Sequence, residues 1–295
     1  MSRKTLYKLL TVLLAAVFLF SGGMLIFRQV EYSRSAGDYE DALQVAGLAR
    51  PNNARAPADS PSPPPASSRL EDSTPESEEA LSTPASPESP PEDTEETGTP
   101  QEALPPEAEP LTWMDLDALR AINPEVAGWL DIPGVLSYPL LHTQNNQFYL
   151  DHSWNGGYNV CGSIFLECTN SPDFLDFHTL VYGHRMDNDS MFGVLRFYED
   201  QSFWQEHPYF YIADGTLVRE YEIFAAFEAD VTGLVYRLDL EEHKQDFIDY
   251  CLERSTIQTN IIPAEDDAFV TLSTCPRSGY DQRLVVMGRL VEVYA

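Results

Sequence analysis

The residues best suited to chemistry are a cysteine and two arginines near the C-terminus. Cys275 ends the apolar run 268–274, and Pro276 cannot donate a ladder hydrogen bond, so a strand is predicted to stop there. A thiol at a strand end lies where catalytic groups are often found. A guanidinium from Arg277 or Arg283 would favour the thiolate and could donate to an oxyanion. A buried structural thiol explains this segment equally well.

A histidine that could serve this thiol is His184, which follows the apolar segment 179–182 and Gly183. An imidazole at that strand end could pair with Cys275 and move protons during acyl transfer. A surface or packing role is the commoner one for a histidine. Five others are present: His142, His152, His178, His207 and His243.

Two rival cysteine chemistries fit the sequence poorly. A Cys-dependent phosphatase needs an arginine six positions after the cysteine, where this chain has Asp281. A papain-like protease has its cysteine early and its histidine far downstream, the reverse of the order here. The remaining cysteines form no CxxC pair and no zinc-finger spacing, so neither a metal nor another cofactor is predicted. They are Cys161, Cys168 and Cys251.

Composition divides the chain into regions. Residues 51–110 hold fifteen of the 22 prolines and are strongly acidic, so we expect them to stay disordered. The formal net charge of −29 would repel phosphates, which argues against nucleic-acid binding. Residues 111–295 are long enough for one substantial core and are predicted to form the catalytic domain.

The N-terminus reads as a membrane anchor. Residues 9–27 are 19 residues without a charge, just enough to cross a bilayer as a helix. Basic residues within 1–8 predict that this end is cytoplasmic and the rest extracytoplasmic. A cleaved signal peptide is the alternative reading. Residues 28–110 are predicted to be a linker that holds the domain away from the lipid; within it, 28–50 are mildly amphipathic and are not assigned to an element.

Local patterns predict an α+β domain built on a closed or nearly closed β-barrel of about eight strands. A helix is expected to start near Thr112 with Asp115 completing a capping box, and Pro124 stops it. Short strands follow, including a hairpin across Asp214 and Gly215. A helix over 241–254 is predicted before the penultimate strand.

Taken together, these motifs resemble those of class B sortases over residues 111–295. The resemblance rests on Tyr182-Gly-His184 and on Thr271-Leu-Ser-Thr-Cys275 with Arg283 in the next strand. It extends through 123–134, 149–151 and 190–192, and the predicted helix 241–254 resembles the helical insertion of class B before the penultimate strand.

The resemblance implies a cysteine transpeptidase that anchors proteins to the wall of a Gram-positive bacterium. Cys275 would attack the Thr carbonyl of a C-terminal sorting signal to form a thioester, and His184 would protonate the leaving amine. An amino group of a peptidoglycan precursor or a pilin lysine would then resolve the thioester. Arg283 would stabilise the oxyanion. Whether the Cys–His pair rests as an ion pair or as a neutral pair stays open.

The family pattern also points to substrate contacts. Asn146, Leu150, Ser273 and Tyr236 match positions that line the signal groove of class B enzymes. Pro276 stands where some relatives have a polar groove residue. Two other functions stay open: a hydrolase that releases the same signals to water, and a non-catalytic wall-binding domain.

Overall fold

The computed structural model describes residues 3–49, 104–274 and 281–295. The α-helices are α1 Arg3–Val45, α2 Leu116–Ile122, α3 Gln201–Glu206 and α4 Lys244–Arg254. The 3₁₀ helices are Glu109–Trp113, Phe148–Leu150, Phe192–Glu199 and Leu234–Tyr236. The strands are β1 Val126–Ile132, β2 Leu136–Leu141, β3 Ile164–Leu166, β4 His178–Tyr182, β5 Tyr209–Ala213, β6 Val218–Asp230, β7 Phe269–Thr274 and β8 Gln282–Tyr294.

The eight strands close into a barrel in the order β1-β2-β3-β4-β7-β8-β6-β5. The β2–β3 and β4–β7 pairs are parallel, and the other six are antiparallel. This arrangement confirms the predicted α+β class and the closed barrel. Among the described strands, closure leaves no long unpaired edge, because each strand has a partner on both sides.

The barrel has two apolar surfaces because side chains alternate along each strand. Val181, Leu272 and Val286 belong to the cluster that fills the interior. Their neighbours Leu180 and Val285 belong to a second cluster, under α4. Helix α4 buries Phe247, Ile248 and Cys251 there, so the predicted helical insertion before the penultimate strand is confirmed.

Helix α2 begins later than the sequence pattern predicts. Its N-cap is Asp115, whose carboxylate accepts a hydrogen bond from the Ala118 amide at 2.8 Å. Thr112 instead donates to the Glu109 carbonyl in the preceding 3₁₀ helix. The predicted start at Thr112 is therefore wrong, because Asp115 caps the helix by accepting from the free Ala118 amide in its first turn.

Helix α1 continues through residues that the sequence pattern did not assign. The helix is long and apolar enough to cross a membrane, and its apolar N-terminal part is exposed. Its C-terminal part buries a stripe spaced every three or four residues against the barrel: Ser35, Tyr39, Ala42 and Ala46. The predicted linker within 50–103 lies outside the described residues, while Leu104 packs against the barrel core.

The buried His178 gives a testable pH dependence of stability. Its Nε2 lies 2.8 Å from the Thr271 hydroxyl and its ring contacts Phe247, where burial lowers its pKa to about 3. Because the unfolded chain binds this proton near pH 6.5 and the folded chain does not, stability is complete above pH 6.5. It falls from there toward pH 3 by about 1.4 kcal/mol per pH unit.

We expect the free energy of unfolding, measured with urea at pH 7, 6 and 5, to depend less steeply on pH in His178→Gln. The loss of slope should correspond to about one proton. His243→Gln, at the exposed start of α4, is the matched control and should keep the wild-type slope. An unchanged slope in His178→Gln would contradict the assignment.

Candidate active site

The end of β4 directs His184 to one mouth of the barrel. Strand β4 runs parallel to β7, with Tyr182 opposite Ser273, and the Gly183 amide donates to the Ser273 carbonyl at 3.2 Å. A Cβ on Gly183 would lie 2.5 Å from Ile164 and 2.7 Å from the Phe192 ring. Only glycine therefore lets the chain leave the core at this point.

The His184 imidazole is half-buried and fixed by a backbone carbonyl. Its Nε2 lies 2.6 Å from the Leu150 carbonyl oxygen, at the end of a 3₁₀ helix. A carbonyl oxygen only accepts hydrogen bonds, so Nε2 carries a hydrogen and donates. In the neutral ring, Nδ1 is then the nitrogen that can take up a proton, and the charged ring can release it from there.

Arg283 lies on the opposite side of β7, near the start of β8. The β7–β8 pairing places Ser273 opposite Val285 and Thr274 opposite Leu284, the last pair before the undescribed residues. Arg283 precedes Leu284, and alternation puts its side chain on the same face as Val285. His184 and Arg283 therefore flank the point where β7 ends.

Cys275 follows Thr274 directly and lies, with Pro276 and Arg277, in the segment 275–280, outside the described residues. The three described cysteines are poor nucleophiles. Burial raises the pKa of all three thiols, and a hydrogen bond to the Glu167 carboxylate raises that of Cys168 further. Because a thiolate is the reactive form, Cys161, Cys168 and Cys251 are unsuited to nucleophilic attack.

The predicted groove residues fall into two groups on this face. The Tyr236 hydroxyl lies 2.8 Å from the Ser273 hydroxyl, next to the buried Val235. Leu150 is 37% exposed, and its carbonyl is the one that holds His184. Asn146 belongs to a separate network.

Sequence reasoning missed the centre of that network, Glu167. Its carboxylate accepts hydrogen bonds from Asn146 Nδ2 at 2.6 Å and from the Tyr182 hydroxyl at 2.9 Å. Burial alone would raise the pKa of Glu167, but hydrogen bonds from Asn146, Cys168 and Tyr182 hold it below its usual value. Glu167 follows β3, the antiparallel neighbour of β4, so only the strand pairing connects it to Tyr182.

Comparison with known proteins decides the family. No family model matches the chain. It is 34% identical to sortase B of Listeria monocytogenes over 182 residues, which cover 60% of this chain and 74% of that protein. The chain belongs to the sortase B family.

Solved structures agree with this assignment. A Staphylococcus aureus sortase B–substrate complex matches with a TM-score of 0.56 and 28% identity, covering 60% of this chain and 84% of that one. A sortase B complexed with triglycine matches with a TM-score of 0.55 and 28% identity, covering 60% and 85%. This sortase is accordingly a cysteine transpeptidase of the sortase type.

Two further features of the sortase bear on its chemistry. Among the residues that the structure describes, no three His, Cys, Asp or Glu side chains are placed to share a metal ion. Burial and the Glu167 carboxylate both raise the pKa of Tyr182, while the charge of Arg283 opposes them. Tyr182 is therefore a neutral hydrogen-bond donor, and its hydroxyl is influenced by the charge of Arg283.

Proposed function

We propose that this sortase cleaves C-terminal sorting signals through a thioester on Cys275 and transfers the acyl group to an amine. The observation that supports this is the position of His184 and Arg283 on the two strands that flank the end of β7. Cys275 is the next residue of the chain after Thr274, the last described residue of β7.

In the acylation step, the proton of the Cys275 thiol is held on His184 Nδ1, and the thiolate attacks the Thr carbonyl carbon of the signal and forms a C–S bond. The carbonyl π electrons move to oxygen, and the Arg283 guanidinium stabilises the negative charge. Collapse of this intermediate breaks the C–N bond, and His184 gives its Nδ1 proton to the departing amine. The Leu150 carbonyl holds the ring in the orientation that this transfer needs.

In the second step, an acceptor amine attacks the thioester and the Cys275 thiolate leaves. His184 takes the proton that the attacking amine loses, which restores the starting state. The triglycine complex of a relative is consistent with an amine at the end of a flexible glycine chain. We extend this to a peptidoglycan precursor or a pilin lysine as acceptor, outside the membrane that α1 spans with its N-terminus in the cytoplasm.

We assign the signal groove to the outer face beside β4 and β7. Tyr236, which is held by its hydrogen bond to the buried Ser273, forms one wall, and Leu150 and Asn146 form the other. One hydrogen of the Asn146 amide goes to Glu167, and its oxygen accepts from the Cys168 amide at 2.8 Å. The second amide hydrogen is then held in a fixed direction for a signal carbonyl.

The distinguishing experiment uses the full-length protein in detergent with peptides carrying NPQT-like and LPXT-like signals, with and without triglycine. A transpeptidase forms a ligated product whose yield rises with triglycine. A product that is only the free acid would identify a hydrolase instead. If no peptide is cleaved and Cys275 is alkylated no faster than Cys251, a non-catalytic wall-binding domain is favoured.

Glu167→Gln tests the groove assignment. A neutral amide accepts hydrogen bonds less strongly than a carboxylate, so Asn146 and Tyr182 lose part of their orientation. We expect KM for the signal peptide to rise roughly tenfold with a smaller change in kcat. Glu253→Gln, on helix α4, is the control. An unchanged KM would remove Glu167 from the groove.

A further inference from the structure

The C-terminal part of α1 is fixed to the loop that precedes β3. The Trp154 indole donates to the Asp38 carbonyl at 2.7 Å, and the Asn159 amide donates to the Asp38 carboxylate at 2.7 Å. The Ala46 carbonyl also accepts from the Asp115 amide at 3.0 Å. The helix that carries the apolar N-terminal stretch is therefore docked on the catalytic domain.

Within this interface, Tyr39 reaches further than its neighbours. Its hydroxyl donates to the Gly162 carbonyl at 2.5 Å and lies 3.2 Å from the Ser163 hydroxyl. Its ring packs edge-to-face on Tyr138, with centroids 5.0 Å apart. Tyr39 is buried, so the hydroxyl has lost its water and depends on these partners.

Gly162 in turn lies directly against the His184 ring. Its φ is +57°, and a Cβ there would lie 2.9 Å from His184 Cδ2. The same Cβ would lie 2.7 Å from the Leu150 carbonyl oxygen, the acceptor that fixes the imidazole. Because close-packed groups transmit displacement, a shift of Gly162 moves both the ring and its acceptor.

We propose that Tyr39 is a positioning residue for His184, acting through the Gly162 backbone and so linking the anchor helix to the proton-transfer group. This inference rests on the proposed role of His184. Tyr39 touches no reacting atom. Its hydroxyl holds the glycine against which the imidazole and the Leu150 carbonyl are packed.

The docked helix α1 also bears on the distance between the active site and the membrane. Leu48 and Leu104, on either side of the undescribed segment, both pack against the same core. The docked end of α1, and not the length of the chain between those residues, then sets how far the active site lies from the lipid. Because an α-helix rises about 1.5 Å per residue, the docked helix sets a fixed distance between the active site and the lipid.

The test compares Tyr39→Phe with Trp154→Phe in the full-length protein in detergent. Each variant removes one buried hydrogen bond between α1 and the barrel, but only the first touches Gly162. We expect Tyr39→Phe to lower kcat about tenfold with KM for the signal peptide unchanged. Trp154→Phe should keep kcat near the wild-type value although its melting temperature falls further, because the smaller ring leaves a cavity at a buried site.

Nuclear magnetic resonance of the His184 ring gives a second readout, independent of any substrate. The Nε2–H resonance should shift or broaden in Tyr39→Phe and stay in place in Trp154→Phe. An unchanged resonance with unchanged kcat would overturn the proposal, as would equal loss of kcat in both variants. If wild-type protein cleaves no signal, the proposed function fails, while the ring resonance still decides the role of Tyr39.

Discussion

Replacing Cys275 by alanine is expected to abolish both cleavage and ligation of signal peptides, lowering turnover by roughly 10⁴-fold or more. Removal of the sulfur removes the atom that forms the acyl intermediate, and no described cysteine can replace it. Burial raises the pKa of the Cys161 and Cys251 thiols, and burial and the Glu167 carboxylate both raise that of Cys168. The measurement is the initial rate of signal cleavage followed by chromatography.

The matched control is Cys168→Ser, which alters the half-buried thiol nearest to the predicted groove. We expect it to keep cleavage within a few-fold of wild type, because its partner Glu167 can accept a hydrogen bond from either a thiol or a hydroxyl. Cleavage that survives in Cys275→Ala but is lost in Cys168→Ser would reverse the assignment of the nucleophile.

Arg283→Ala is expected to lower kcat by about 10²- to 10³-fold while the protein stays folded. The guanidinium of Arg283 is half-buried at the barrel mouth, opposite Ala229 on β6, so its loss leaves the core intact. Arg283→Lys should recover only part of the activity, because an ammonium keeps the charge and loses the planar pair of donors. The measurement is kcat and KM for the signal peptide with the melting temperature of each variant.

Arg289→Ala is the control on the same strand. Arg289 binds the Glu222 carboxylate at 2.8 Å, six residues from Arg283. Its loss should lower the melting temperature without lowering kcat. If Arg283→Ala behaves in the same way, with near wild-type kcat, the oxyanion role is wrong.

Much of the fold could be predicted from local patterns. Alternating apolar residues between turn signals predict most of the strands, and the apolar positions of residues 247, 248 and 251 predict α4. Helix α3 was missed because it is a six-residue helix, too short for a periodic pattern. Its N-cap, Asp200, accepts from the Ser202 amide at 2.8 Å and was the one local signal available.

Residues of the candidate site could be predicted only where a reactive side chain lies at the end of an apolar strand. His184 and Arg283 carry reactive groups beside apolar runs, and the structure places them on either side of the end of β7. Glu167 carries no such signal, because its partners Asn146 and Tyr182 lie 21 and 15 residues away along the chain. Which side chains meet there depends on strand pairing, which composition does not reveal.

The contact between Tyr39 and Gly162 could not be predicted either, because it also joins residues that are far apart in the chain. The two residues are 123 positions apart, with the acidic, proline-rich stretch between them. The stretch predicts a spacer, and the mild amphipathicity of residues 28–50 is too weak to predict a docked helix. Small and polar residues at the buried positions, Ser35, Ala42 and Ala46, give little hydrophobic contrast against exposed neighbours.

The thioester on Cys275 is tested most directly by mass spectrometry of the enzyme during turnover. Wild-type protein is mixed with a signal peptide, quenched in acid after a fraction of one turnover, and digested for mapping. We predict that the N-terminal part of the signal is attached to residue 275, and that triglycine added before the quench converts it to ligated product. Cleavage that proceeds with the adduct on another residue, or with no adduct under any quench time, would contradict the mechanism.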